Sequence, residues 1–283
     1  MFGRYRLGGL LGRGGMGEVW RAADTSQADR EVALKLVNPA LCDDPAYTER
    51  FTRECELTAG LPYHRNIAPI YHYGEIDGRL YLTMPLVDGT DLATLIARDG
   101  QLAPERAVRI VTQVAAALAF AAAHGIVHRD VKPSNILVSS DADDHSHLID
   151  FGVAFALDGT KLTMTSTFIG SPAYMAPERF LGESTQRGDI YALGCVLHEA
   201  LTGSQAFSVA NPFAYMNAHQ HDPIPRPTAV RTELPPALDT VIARALAKDP
   251  ADRYPSATEF ARPPDTPSPR AGRAPPSRRR RPR

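Results

Sequence analysis

The period of the apolar residues changes once along this chain, near residue 85, and that change limits the folds open to it. Before it, apolar residues come in short strand-like runs at 7–11, 18–22, 31–37, 66–73 and 79–84. Asp77-Gly78 reads as the turn between the last two. One helix interrupts them, opening on Asp43-Asp44-Pro45, with aspartate as cap and proline in the first turn. After residue 90 the pattern is mostly helical, over 90–98, 104–123, 189–201, 238–247 and 256–261. Gly203 ends the third of these helices, and a Pro-punctuated loop is expected over 212–236. The connector Pro85-Leu86-Val87-Asp88-Gly89 is non-helical. These patterns predict an α+β chain of two lobes: a small β-rich N-lobe over about 5–84, a hinge at 85–89 and a larger helical C-lobe over about 90–262.

Composition narrows the class. Apolar residues make up 43% and charged residues 22% of the chain, as in soluble globular proteins. Cys42, Cys55 and Cys195 are scattered, with no CxxC pair, and read as reduced, buried thiols. No leader pattern follows Met1. The most apolar stretch, 107–123, carries Arg109 and Gln113, so a core helix is expected there and no membrane span. A cytoplasmic location is the expectation. Seven of the 31 basic residues but one of the 32 acidic residues fall after residue 262, so an acidic body carries a basic tail. That Pro/Arg-rich tail, 263–283, has almost nothing apolar to bury and is expected to be disordered.

Several groups stand at spacings that chemistry can use. Gly12, Gly14 and Gly17 form a GxGxxG pattern with Val19 two places on. Such a turn lets backbone N–H groups approach phosphate oxygens with no Cβ in the way. Alone the pattern is weak, and a flexible hairpin accounts for it. A dinucleotide fold needs a helix straight after these glycines. A strand follows here, which fits a flap over a nucleotide. Lys35 lies in an apolar strand, where a lysine is ordinarily exposed; with the glycines upstream it becomes a candidate phosphate ligand. The next helix carries Glu49, Glu54 and Glu56, one of which could turn inward to pair with it.

The densest cluster is His128-Arg129-Asp130-Val131-Lys132-Pro133-Ser134-Asn135, followed by Asp150-Phe151-Gly152. It sets a carboxylate, an ammonium and a carboxamide at i, i+2 and i+5. Pro133 disfavours the helical region for Lys132 and offers no N–H, so the run reads as a rigid loop between apolar segments. Such loops commonly carry catalytic residues. The acidic turn at 141–147, which includes His145 and His147, reads as a solvated hairpin rather than a metal site. Residues 153–176 form a long segment rich in hydroxyls, among them Thr160, Thr163, Thr165, Ser166, Thr167 and Ser171.

Together these motifs resemble the eukaryotic-like (Hanks-type) protein kinases, over residues 5–262. The resemblance rests on Gly12-x-Gly14-x-x-Gly17-x-Val19, Val32-Ala33-Leu34-Lys35, His128-Arg129-Asp130 through Asn135, Asp150-Phe151-Gly152 and Ala176-Pro177-Glu178, in family order. The flap at 14–17, the 131–135 loop and Asp252-Arg253-Tyr254 are most similar to bacterial, especially actinobacterial, serine/threonine kinases. The resemblance implies a bilobal protein-kinase-like fold and transfer of the ATP γ-phosphate to Ser or Thr hydroxyls of proteins. On it, Leu11, Gly12, Gly14 and Gly17 would cover the nucleotide. Val19, Ala33 and Leu137 would sandwich adenine beside a gatekeeper Met84, with the base edge bonded by backbone at Pro85 and Val87. Pro85 stands where many members carry glutamate, and its carbonyl remains available to the base. Lys35 would hold the phosphates through a pair with Glu54. Asn135 and Asp150 would bind Mg²⁺, or Mn²⁺ in its place. Asp130 would take the acceptor proton, and Lys132 would neutralise charge at the γ-phosphate. Glu178 and Arg253 would form a buried pair, and Asp189 would brace the catalytic loop. Arg129 implies control by phosphorylation, with Thr163 and Thr165 as candidate autophosphorylation sites. The implied partners are protein substrates and the chain itself in trans. The basic tail adds weak anionic-surface contact and no specific nucleic acid.

Rival readings fit less well. A kinase-like signalling scaffold with impaired catalysis would lack Lys35, Asp130, Asn135 or Asp150, and all four are present. Small-molecule kinases share the catalytic aspartate and metal ligands but typically lack the Ala-Pro-Glu segment and the hydroxyl-rich loop.

Overall fold

The structure, a computed structural model, describes residues 1–140, 143–151, 172–209 and 211–262. Five strands form the N-terminal sheet: β1 (Tyr5–Gly14), β2 (Gly17–Asp24), β3 (Arg30–Val37), β4 (His72–Ile76) and β5 (Arg79–Pro85). Their order is β1-β2-β3-β5-β4, and every neighbouring pair is antiparallel. Alternation along β3 decides what faces what. Val32, Leu34 and Leu36 pack with Tyr5 and Ala22. Ala33 and Val37 face the other way and pack with Tyr47, Phe51 and Cys55. Lys35 stands between Ala33 and Val37 on that second face.

Tyr47, Phe51 and Cys55 belong to a helix. After a single turn, α1 (Pro39–Cys42), α2 runs over Pro45–Ala59. It starts where the sequence signals it: the Asp44 side chain accepts from the Ala46 N–H at 2.9 Å, and Pro45 takes the first position.

One strand departs from its expected limits. Of residues 66–73, only His72 and Tyr73 enter β4. The Asn66 amide donates to the Ser146 carbonyl at 2.8 Å and to Gln113 at 3.0 Å. The Leu148 N–H donates to the Asn66 carbonyl, and the Ala68 N–H to the Leu148 carbonyl. Pro69 has no N–H to give a ladder. This stretch is therefore bonded to the C-lobe, with Ile67 buried in its core.

The C-lobe begins with β6 (Gly89–Asp91), α3 (Leu92–Asp99) and α4 (Pro104–Ala123). On length and composition α4 could cross a membrane. Its Ala107, Ile110, Val114, Leu118 and Ala121 face is packed in the core, as the sequence predicts for a core helix. Next come β7 (Ile136–Ser139) and β8 (Ser146–Leu148), which join β6 in a three-stranded sheet. Then follow α5 (Gln186–Thr202), α6 (Pro212–His221), α7 (Pro227–Val230), α8 (Ala237–Ala245) and α9 (Ala257–Ala261). Helix α5 is buried along nearly its whole length. A Cβ at Gly194 would lie 2.4 Å from Leu246, so glycine is what lets the two approach. The loop expected over 212–236 contains α6 and α7. Pro212 and Pro227 sit at helix starts, where the missing N–H costs nothing, and Asn211 caps α6 through the Ala214 N–H.

Candidate active site

The pairing of β7 with β8 assembles the site. Ile136 is opposite Leu148, and the Ile149 N–H donates to the Asn135 carbonyl at 3.0 Å. The end of the 128–135 run and the start of Asp150-Phe151 are thus brought together, although they are far apart in sequence.

Buried groups hold the loop from behind. The Asp189 carboxylate, near the start of α5, accepts from the backbone N–H groups of His128 and Arg129 at 2.7 and 2.8 Å. Burial pushes this carboxyl upward; the His128 ring and the two N–H bonds oppose the shift. Arg129 takes a left-handed φ of 69°, which turns the chain so that both N–H groups reach Asp189. His128 is fully buried against Phe151. Its Nδ1 accepts from the Asp130 N–H, so its Nε2–H donates to the Ile149 carbonyl at 2.9 Å. The ring ties the two halves of the site, with both of its nitrogens engaged by backbone groups.

Asp130, Lys132 and Asn135 converge as their spacing suggests. Lys132 Nζ lies 2.6 Å from Asp130 Oδ2. The Asn135 amide donates to Asp130 Oδ2 at 3.1 Å and to the Asp130 carbonyl at 2.8 Å. That use of the NH₂ turns the amide nitrogen toward Asp130 and leaves the side-chain oxygen as its acceptor end. Asp150 sits at φ 62° with Oδ1 buried and without a partner among the described residues. A buried, unpartnered carboxylate oxygen, on the segment after β8 that Ile149 bonds to Asn135, is the kind of oxygen donor that suits a hard divalent cation such as Mg²⁺.

The expected Lys35–Glu54 pair is not formed. Lys35 Nζ bonds Asp150 Oδ2 at 2.7 Å, and Glu54 bonds Arg129 at 2.8 Å. The reason is local. Lys35, on the inner face of β3, meets a carboxylate that burial would push up but that the lysine charge holds below its usual range. Arg129 projects from its left-handed backbone toward α2 and takes Glu54. Each acid has a cation; the partners are exchanged relative to the expectation.

The residues expected to face a nucleotide come from the N-lobe sheet and the hinge, with Leu137 from β7 of the C-lobe. Ala33 and Met84 are buried, and Val19, Pro85, Val87 and Leu137 are half-buried. Leu11 is exposed. Gly14 faces Gly17 across the β1–β2 hairpin. A Cβ at Gly12 or Gly14 would meet nothing within 4 Å. Gly17 differs: its φ is 140°, and a Cβ there would lie 2.0 Å from the Leu36 carbonyl.

Glu178 and Arg253 form the expected pair, bidentate at 2.7 and 2.8 Å. Three features escaped sequence reasoning. Arg179 donates to the Arg129 carbonyl at 2.6 Å, and a basic residue directly after Ala-Pro-Glu was the available signal. Tyr174 donates to Glu199 at 2.6 Å, with no sequence signal for the pairing. Asp144 is not solvated as the 141–147 turn suggests; it is buried and binds Arg106 and Arg109 of α4. The Asp141 and Ala142 part of that turn, Gly152, Thr163, Thr165 and the 263–283 tail lie outside the described residues.

Similarity to known proteins follows the same lines. The protein kinase domain model matches residues 5–264. The serine/threonine-protein kinase PknH of Mycobacterium bovis is 48% identical over 262 residues, 92% of this chain and 43% of that protein. PknE of Mycobacterium tuberculosis is 51% identical over 254 residues, 89% of this chain and 44% of that protein. The chain thus spans less than half the length of these curated relatives. The crystal structure of the Mycobacterium tuberculosis PknI kinase domain superimposes with a TM-score of 0.73 at 33% identity, covering 92% of this chain and 95% of that one. The chain belongs to the protein kinase family, among its Hanks-type bacterial members.

Proposed function

We propose that the chain is an ATP-dependent serine/threonine protein kinase. The observation that carries this is the convergence of Asp130, Lys132 and Asn135 beside the unpartnered Asp150 oxygen, with Lys35 within reach. Asp130 accepts the proton of the acceptor hydroxyl as its oxygen bonds the γ-phosphorus and the bridge to ADP breaks. Lys132, already on Asp130, offsets charge on the transferring phosphoryl group. Asn135 and Asp150 would hold Mg²⁺, or Mn²⁺ in its place, which would supply positive charge at the phosphate oxygens. Little covalent work falls to the protein, and rate comes from position and electrostatics. ATP lies under Gly12, Gly14 and Gly17, with adenine between Val19, Ala33 and Leu137, and Pro85 and Val87 on the base edge.

Catalysis on this reading requires an exchange of partners. Lys35 leaves Asp150 for the α- and β-phosphates, and Glu54 leaves Arg129 to steady Lys35. Arg129 is then available to a phosphate on Thr163 or Thr165, placed there by a second copy of the chain. The reading includes a cytoplasmic setting for this domain, where ATP is available, and weak contact of the arginine tail with anionic surfaces. The decisive experiment is incorporation of label from γ-labelled ATP into a protein acceptor and into the chain itself, wild type beside Asp130→Asn. Loss of incorporation in the variant is expected; equal incorporation sinks the mechanism. Mass spectrometry of the labelled chain then tests Thr163 and Thr165, and phosphate confined elsewhere removes them.

A further inference from the structure

One buried titratable group has no part in the chemistry above. His219, on α6, is fully buried. The rings of Phe180, Tyr191, Phe207 and Tyr215 surround it at centroid separations of 4.8 to 6.1 Å. Its Nδ1 lies 2.7 Å from the Tyr191 hydroxyl, and its Nε2 is buried with no hydrogen-bond partner among the described residues. Burial, aided by the nearby Lys248 charge, keeps the ring neutral, its pKa pulled down to about 4; the carbonyls of Pro172 and Ala173, which lie against it, act in the opposite direction.

The neighbours fix the tautomer. Burial pushes the Tyr191 phenol well above its ordinary range, so it keeps its proton and needs an acceptor. Nδ1 is the acceptor beside it. The ring proton therefore resides on Nε2, the nitrogen with no partner among the described residues. Carbonyl oxygens are what such a donor needs, and those of Pro172 and Ala173 are at hand.

Those carbonyls belong to the turn Pro172–Tyr174. With Lys132, Ser134, Gln205 and Tyr215, the turn lines a cavity of about 390 Å³ next to the catalytic loop. Tyr215 also stacks on His219 at 6.1 Å. His219 thus touches two walls of the cavity from behind. The end of α6 that carries it is anchored, because Lys248 donates to the carbonyls of Ala218 and His219 at 3.2 and 2.7 Å and lies over the Phe207 ring.

We propose that His219 is a positioning residue for the acceptor peptide: its Nε2–H closes onto the Pro172 or Ala173 carbonyl when a peptide fills the cavity beside Lys132. The proposal rests on the kinase reading. Hydrogen bonds of unliganded sites are often open and tighten in the complex. One neutral hydrogen bond gained on binding corresponds to a roughly 2- to 10-fold change in affinity.

The test uses the full chain and, as acceptor, a synthetic peptide with the sequence of residues 157–170. The Michaelis constants for peptide and for ATP are measured with the melting temperature, for wild type, His219→Phe, His219→Gln and Tyr191→Phe. His219→Phe keeps an aromatic ring but donates nothing. Its Michaelis constant for peptide is expected to rise about 2- to 10-fold, with that for ATP unchanged. His219→Gln, which restores a donor, should recover part of the loss. Tyr191→Phe, which frees the tautomer, should show a smaller rise in the same constant. Equal rises for both substrates, or a lower melting temperature with peptide binding unchanged, overturn the proposal. If His219→Phe does not fold, Tyr191→Phe decides by the same criterion. A wild-type chain that transfers no phosphate overturns the kinase reading, and this proposal with it.

Discussion

Replacing Arg253 with methionine probes how firmly the segment beside the acceptor cavity is tied down. The Arg253 guanidinium is inaccessible to water. It bonds both Glu178 oxygens and the carbonyls of Ala247, Arg187 and Lys248, and it lies 4.8 Å from the Tyr191 ring centroid. Methionine keeps most of the stem and its packing. It leaves a carboxylate that is 8% exposed with no cation, and three carbonyls without this donor. Breaking a buried pair from one side costs about 3–5 kcal/mol, chiefly the uncompensated charge. In a domain of this size 1 kcal/mol corresponds to roughly 2–4 °C, so the melting temperature should fall by about 6–20 °C. Urea midpoints followed by circular dichroism measure the free energy. The double variant Glu178→Gln/Arg253→Met removes the stranded charge and should recover a substantial part, giving the coupling through a double-mutant cycle. A loss below about 1 kcal/mol, or a double variant no better than the single one, would refute the reasoning.

Glu54→Gln removes a charge-assisted bond worth about 1.5–3 kcal/mol from whichever cation Glu54 serves, so kcat/KM for ATP should fall about 10- to 100-fold with folding intact. An unchanged value would mean that Glu54 never reaches Lys35. Gly17→Ala should lower the melting temperature by several degrees, because its Cβ meets the Leu36 carbonyl, whereas Gly12→Ala should leave melting unchanged; differential scanning calorimetry separates the two. The pH dependence follows from His219. Its pKa lies near 4 when folded and near the ordinary 6.5 when unfolded, so the unfolded chain takes up the proton first as pH falls. Wild type should hold this contribution above about pH 6.5 and lose up to about 3 kcal/mol of it between there and pH 4. His219→Gln should lack that part of the slope, as read from urea midpoints across the range; identical slopes would contradict the assignment.

Much of the fold was legible because local signals and burial agreed. The Asp44-Pro45 start of α2, the limits of α4 and the Gly203 end of α5 follow from caps, periodicity and a left-handed glycine. The convergence of Asp130, Lys132 and Asn135 was legible because all three lie within one short loop. What failed was long-range or ambiguous locally. Prolines at 212 and 227 carry the same letter whether they break a helix or start one. The 66–68 stretch has strand-like composition, but its partners are Ser146 and Leu148, far along the chain. The partner of Lys35 depends on how α2 sits against the catalytic loop, and sequence spacing carries no information about that. Asp144 looked like a turn residue because the arginines that bury it are presented by α4, far back along the chain.

The bonds from Asn66 and Ala68 to the C-lobe also shape how α2 can move. They lie shortly after Ala59, so the C-terminal end of that helix is moored to the C-lobe, while Pro45 at its other end is exposed. Glu54 is about 7.5 Å along the axis from the moored end, and Pro45 about 21 Å. The helix is then a lever of unequal arms. A displacement at Pro45 would arrive at Glu54 reduced about threefold, so the proposed exchange of Glu54 from Arg129 to Lys35 would call for a larger movement at the exposed tip.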